Sequence, residues 1–247
     1  MHFSILRFDT IDSTNTEALK QARQGANEGL CVIARQQTAG RGRQGRSWVS
    51  PMDAGLYVSV VLRSKLDAKY LPLITLATAV AVFETLAELG LTPEIKWPND
   101  VLLNEKKICG ILAETAETEQ GLAIVVGVGI NVTSNSFPPE LGDTATSIEG
   151  ELNIPITFSD VQSVLLRQFD NWYSKLCDED GPTSVVTEWS KRSSYADGKN
   201  VRVSLTGNSV SGVTDGLEPD GALRVVTADG SIHIVHAGDV ERLRPSD

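Results

Sequence analysis

Cysteine, histidine and methionine are all scarce in this chain, with three, three and two among 247 residues. Cys31, Cys109 and Cys177 are widely spaced and form no Cys-x-x-Cys pair, which argues against a disulfide framework and for a reducing, cytoplasmic setting. The histidines leave little for a Ser-His-Asp or Cys-His engine. His2 is terminal, and His233 and His236 sit three apart on an expected strand, so they face opposite sides and make poor joint metal ligands. No apolar run approaches about eighteen residues, so no membrane span is expected. No charged leader precedes an apolar stretch at the start, so no secretion signal is expected either. A Gly-x4-Gly-Lys-Ser/Thr phosphate loop is missing, and Gly127-x-Gly129 lacks the third glycine of the dinucleotide fingerprint. Basic residues are outnumbered, 22 against 32 acidic, and the net charge of −10 argues against sequence-independent nucleic-acid binding.

What is present is the composition of an ordinary soluble domain, 41% hydrophobic and 22% charged. Residues 3–8 alternate like a first strand. Thr14 and Glu17 have capping-box spacing before a helix that Gly25 ends. Strands are expected at 30–34 and 56–62, and a helix over 70–89 with Pro72 in its first turn and Gly90 at its C-cap. Strands follow at 94–97, 101–103, 107–115 and 122–128, with hairpin turns at Asn104-Glu105 and Glu119-Gln120-Gly121. Helices are expected over 159–177 and 182–193, with Thr157 or Ser159 as cap. Short strands then recur at 201–205, 210–217, 223–227 and 232–235, separated by Gly207-Asn208, Asp220-Gly221 and Asp229-Gly230. The pattern predicts an α+β fold with a mixed, mostly antiparallel sheet, followed by a small β-barrel. The expected division is 1–194 and 195–247.

Five segments carry possible chemistry. Asp12-Ser13-Thr14-Asn15 sits at a helix start, where capping alone would explain it. Gly40-Arg41-Gly42-Arg43-Gln44-Gly45-Arg46-Ser47-Trp48 is a positive island that suits an anionic ligand, since glycine permits close approach and arginine supplies forked donors. Lys96-Trp97-Pro98-Asn99-Asp100 ends a strand in a turn that is either merely polar or offers oxygens to a ligand or magnesium. In Lys106-Lys107-Ile108-Cys109-Gly110-Ile111-Leu112-Ala113-Glu114 a lysine, Lys107, enters an apolar strand, either exposed at the edge or paired with an anion. Gly127-Val128-Gly129-Ile130-Asn131 suggests close backbone approach or a simple bulge. Cys109 reads as a core residue rather than a nucleophile.

Taken in this order, the five segments resemble the biotin–protein ligase family, and the β-rich tail with Gly238-Asp239-Val240 is similar to that family's C-terminal barrel. The resemblance implies a catalytic domain of the class II aminoacyl-tRNA synthetase/biotin ligase type with an SH3-like barrel. It implies that biotin and ATP form biotinyl-5′-AMP, with Mg²⁺, and that biotin then passes to a lysine of a biotin carboxyl carrier domain. By the same resemblance Ser13, Thr14, Asn15, Gln37, Gly40, Arg41 and Gly110 bind biotin, with Lys107 and Arg43 at the reacting carboxylate and phosphate. Arg46, Trp48, Asn99 and Asn131, with Arg43, would hold the nucleotide, and Asp100 would serve the magnesium. The matching region begins near Met1, so a DNA-binding domain and repressor function are not expected. The expectation is therefore a monofunctional enzyme that binds neither DNA nor membrane. Relatives often pair through sheet edges, which admits a homodimer. Asp53 departs from some relatives, which have glycine there.

Overall fold

The structure is a computed structural model and describes residues 1–205 and 208–242. Seven strands build the larger sheet: β1 (Ser4–Ile11), β2 (Leu30–Gln37), β3 (Gly55–Leu62), β4 (Glu94–Lys96), β5 (Asp100–Leu103), β6 (Lys106–Thr118) and β7 (Gly121–Asn131). Their spatial order is β1-β2-β3-β7-β6-β5-β4. β1 and β2 run parallel, linked through α1 (Thr14–Arg23), and the remaining ladders are antiparallel. The mixed, mostly antiparallel sheet expected from the sequence is therefore present. β3 is buried along its whole length because helices cover both faces of the sheet.

On one face, α1 seats Ala18, Leu19 and Ala22 against Val32, Val61 and Val125. The other face carries α2 (Leu73–Glu88), the short α3 (Ile148–Leu152), α4 (Phe158–Leu176) and α5 (Gly181–Lys191), whose apolar residues share one core with β3, β6 and β7. By length and composition, residues 68–88 would suit a membrane, yet 61% of that apolar window is buried inside the fold. A helix apolar on all sides is a central helix here.

Several boundaries differ from the sequence reading. Helix α2 starts at Leu73, because Ala68–Tyr70 forms a separate 3₁₀ turn and Pro72 takes the N-cap. Thr14 is not a cap: Ser13 is the N-cap residue, and the Thr14 amide and hydroxyl both donate to Gln37 Oε1, at 2.8 and 3.1 Å. Glu17 instead accepts from Lys20 and Gln21. Thr157 caps α4 by accepting from the Asp160 amide, and Ser159 lies inside the helix. The hairpin turn at Asn104-Glu105 holds with both residues at positive φ, 50° and 65°.

The second sheet comprises β8 (Asp197–Ser204), β9 (Ser209–Leu217), β10 (Leu223–Val226), β11 (Ile232–Val235) and β12 (Asp239–Arg242), ordered β11-β10-β9-β8-β12 and antiparallel throughout. Among the described residues no ladder joins β11 to β12. The expected turn at Gly207-Asn208 begins outside the described residues. The apolar side of this second sheet, with Val201, Val203, Leu223 and Val225, continues the main core. Trp97 Nε1 donates to the Gly221 carbonyl at 3.0 Å and ties the two sheets together.

Candidate active site

Strand alternation locates the site. On β7, Ala123 and Val125 face α1, and Gly127, Gly129 and Asn131 continue the same face beyond the start of the helix. On β6 the corresponding series runs from Ala116 back through Glu114 and Leu112 to Gly110. Beyond the N-terminus of α1, Gly127, Gly129 and Gly110 take the place of larger residues and let other groups approach the sheet backbone. A Cβ at Gly127 would collide with the Asn15 side chain, and one at Gly129 with the Trp48 indole.

This floor lies beneath a cleft open to solvent. Ser13, Thr14 and Asn15 enter it from α1, and Gln37 from the end of β2. The loop contributes Arg41, Arg43, Arg46 and Trp48, and the β4–β6 region contributes Asn99, Asp100, Lys107 and Gly110. Two expected residues lie outside it. Gly40 underlies the loop, where a Cβ would strike the Trp48 carbonyl. Asn131 lines a neighbouring cleft with Trp48, Lys107 and Phe137, and its amide donates to the Thr146 and Lys107 carbonyls.

One end of the cleft is a neutral hydrogen-bonded network. Gln37 Oε1 accepts from Thr14, and Gln37 Nε2 donates to Ser50 Oγ at 2.8 Å. Ser59 Oγ lies 2.8 Å from Thr14 Oγ1 and 2.6 Å from Asn15 Oδ1. These buried groups present matched donors and acceptors at one wall.

Positive charge gathers at the other end. Lys107 arrives there through a β-bulge: Val101 pairs with Cys109 but Leu102 pairs with Lys107, so Ile108 is the extra residue. Strict alternation would aim Lys107 into the core with Cys109 and Ile111. The bulge turns it into the cleft, where Nζ pairs with Asp100 Oδ1 at 2.7 Å and lies 5.4 Å from the Trp48 ring centre. It is thus neither a free edge lysine nor a core one.

The loop folds back on itself. Arg41 bridges Ser47, Gly42 donates to the Arg46 carbonyl, and Trp48 donates to the Gly40 carbonyl at 2.9 Å. Arg46 pairs with Asp239 at 2.5 Å. Arg43 Nη1 donates to Asn99 Oδ1 at 3.2 Å and to the Gly238 carbonyl at 3.3 Å, and no carboxylate pairs with it directly among the described residues. Burial pulls its guanidinium below the ordinary value, with Asp239 and Asp100 opposing. It remains the cation of the cleft whose charge is least compensated. Trp48 Nε1 is buried without an acceptor among the described residues.

Cys109 is fully buried, and burial pushes its thiol well up, as expected of a core residue. Among the described residues no three Asp, Glu, His or Cys side chains gather to hold a metal. Magnesium commonly binds one or two carboxylates and takes its remaining oxygens from phosphates and water. Asp100 and Asp239 at the cationic end fit that pattern for an ion carried on a nucleotide.

Two acids that stood within the singled-out segments but were given no site role grip the loop. Glu114 pairs with Arg41 at 2.6 Å, and its place on the Gly110–Leu112 face could have marked it. Asp239 pairs with Arg46 from the second sheet, and no local signal points to it.

The chain matches the biotin/lipoate A/B protein ligase family over residues 7–131 and the biotin protein ligase C-terminal domain over residues 198–243. It is 35% identical to a bifunctional ligase/repressor BirA of Bacillus subtilis, covering 96% of this chain and 73% of that protein. It is 34% identical to a biotin–[acetyl-CoA-carboxylase] ligase of Paracoccus denitrificans, covering 93% and 96%. Among solved structures, a biotin protein ligase from Aquifex aeolicus in complex with biotin and ATP superposes with a TM-score of 0.85 at 27% identity, covering 97% and 99%.

Proposed function

The chain belongs to the biotin/lipoate A/B protein ligase family, and from that premise we propose that its cleft couples biotin to ATP and delivers the product to a biotin carboxyl carrier domain. The activity is biotin–protein ligation, with biotin and ATP as substrates. A biotin carboxylate oxygen attacks the α-phosphorus of ATP, forming biotinyl-5′-AMP and releasing pyrophosphate. The carrier lysine nitrogen then attacks the biotinyl carbonyl, forming an amide and releasing AMP.

Two anions must meet in the first step, so positive groups fixed in advance lower its barrier. The observation that carries this reading is the convergence of Arg43 and Lys107 on one cleft whose far end is neutral and hydrogen-bonding. Biotin's ureido ring, with two N–H donors and one carbonyl, suits Ser13, Thr14, Asn15, Gln37 and Arg41, with Gly110 leaving room for the chain and Gly40 letting the loop close over the site. Its carboxylate then points toward Arg43 and Lys107. Arg46 serves the phosphates, Trp48 covers the nucleotide with an indole N–H in need of an acceptor, and Asn99 and Asn131 flank the adenine side. Magnesium, when bound, neutralises phosphate charge, and Asp100 is the carboxylate we assign to it. No enzyme nucleophile is needed, since the acyl-adenylate itself carries the activated group.

We assign residues 1–194 to the catalytic unit and 195–247 to a small β domain, on the strength of the two separate sheets. Three free cysteines support a reducing cytoplasm. The −10 charge argues against a sequence-independent nucleic-acid partner. A homodimer would pair through β1 or β4, the outer strands of the larger sheet.

Lys107→Ala tests the assignment. Biotin binding, read by calorimetry, is expected to survive, and biotin-dependent ATP–pyrophosphate exchange to fall about 100- to 1000-fold. Undiminished exchange would remove Lys107 from the reaction. Replacing biotin by lipoate in the same assay checks the substrate class, and the mass of a carrier domain after incubation checks the transfer.

A further inference from the structure

We propose that Glu114 is the positioning residue for the biotin end of the cleft, holding Arg41, and with it the near arm of the loop, against Asn15. The proposal rests on the biotin–protein ligase reading above. Glu114 Oε2 accepts from Arg41 Nη2 at 2.6 Å and from Asn15 Nδ2 at 2.8 Å. Asn15 has no freedom to give: Nδ2 also donates to the Leu112 carbonyl at 3.1 Å, and Oδ1 is fixed by Ser59 over Gly127.

From Asn15 the bonds continue through Ser59, Thr14 and Gln37 to Ser50, whose hydroxyl donates to the Trp48 carbonyl at 3.2 Å. The Trp48 amide returns to the Gly40 carbonyl, next to Arg41. Both stems of the loop are thus fastened to one closed circuit of side chains, and Glu114 is the charged acceptor in it. Charge-assisted bonds are the strong members of such circuits. An ordinary surface ion pair at this place would hold little and would leave kinetics untouched. Glu114 is only a quarter exposed and shares one oxygen between two groups that line the cleft. Its second effect is electrical. Balancing Arg41 leaves Arg43 as the least compensated cation, so biotin's carboxylate is drawn to the reacting end and its ring to the neutral end.

Glu114→Gln keeps the shape and an acceptor for Asn15 but removes the charge that holds Arg41. The expected result is a rise of about tenfold in KM for biotin in pyrophosphate exchange, with kcat within about twofold. Glu114→Asp, which withdraws the charge by one methylene, is the second variant, chosen in case the first does not fold, and is expected to shift KM the same way. In an Arg41→Gln background either substitution should change KM by less than about twofold, because the partner through which Glu114 acts is gone. The same tenfold change in both backgrounds, an unchanged KM, or a fall in kcat alone would overturn the proposal. Absence of biotin-dependent exchange in the unsubstituted protein would instead remove the functional reading itself, and the proposal with it.

Discussion

Gly127 faces α1, and the distance between helix and sheet at the cleft depends on its missing side chain. Asn15 sits directly over it, held by Ser59, Glu114 and the Leu112 carbonyl. Gly127→Ala is expected to cost about 1–3 kcal/mol of stability by overpacking and to weaken biotin binding by about tenfold or more. Melting and calorimetry on the same sample check both. A variant with native affinity would show that Asn15 does not shape the ligand wall. Asp53 makes a related point. Its φ is +54°, a conformation that glycine adopts without strain, and its carboxyl is held below the usual range by hydrogen bonds from Arg35. Glycine spacing at 127 and 129 was legible in the sequence as a choice between close approach and a bulge. What approaches was not, because Asn15 and Trp48 come from distant segments.

Helix boundaries were legible where termination is local, and misread where side chains had tertiary partners. Gly25 and Gly90, each with φ near 90°, stop α1 and α2 as expected. Thr14 had cap spacing but spends its hydroxyl on Gln37, an acceptor no spacing rule includes. At the far end of α5, Glu188 accepts from Lys191 and Arg192, each within 2.7 Å, and these bonds pull its carboxyl to about 2. A depressed carboxyl stabilises the fold fully above the ordinary value of 4.5 and loses that contribution as pH falls toward 2. Glu188→Gln should therefore lower Tm at pH 7, with the difference from the parent shrinking between pH 4.5 and 2. A gap in Tm that stays constant over that range would remove Glu188 from the acid response.

The two sheets share one apolar core, and specific polar contacts tie them together near the cleft. Trp97 joins Gly221 across 124 residues, Arg43 reaches Gly238 across 195, and Arg46 meets Asp239. Trp97→Phe keeps an aromatic ring in the core but orphans a buried carbonyl, so a loss of about 1–3 kcal/mol in urea unfolding is expected. If the second sheet supports the loop, the same variant should also raise KM for ATP while leaving KM for biotin near its original value. Equal changes in both would point to a general loss of fold. The composition foretold a second unit, because short strands with turn dipeptides changed the texture after residue 194. That this unit touches the site was hidden, since nothing near Gly238-Asp239 in the chain announces an arginine loop two hundred residues away.

By itself the amino-acid order determined the sheet-rich architecture and the cationic loop. Each of these follows from period, chirality or residue chemistry acting within a few positions. Only the tertiary structure decided that a bulge at Ile108 swings Lys107 out of the core, that Asp100 and Asp239 meet it and Arg46, and that Glu114 ties the loop to α1. Those outcomes depend on strand register and on which segments the topology lays side by side. Local spacing carries no record of either.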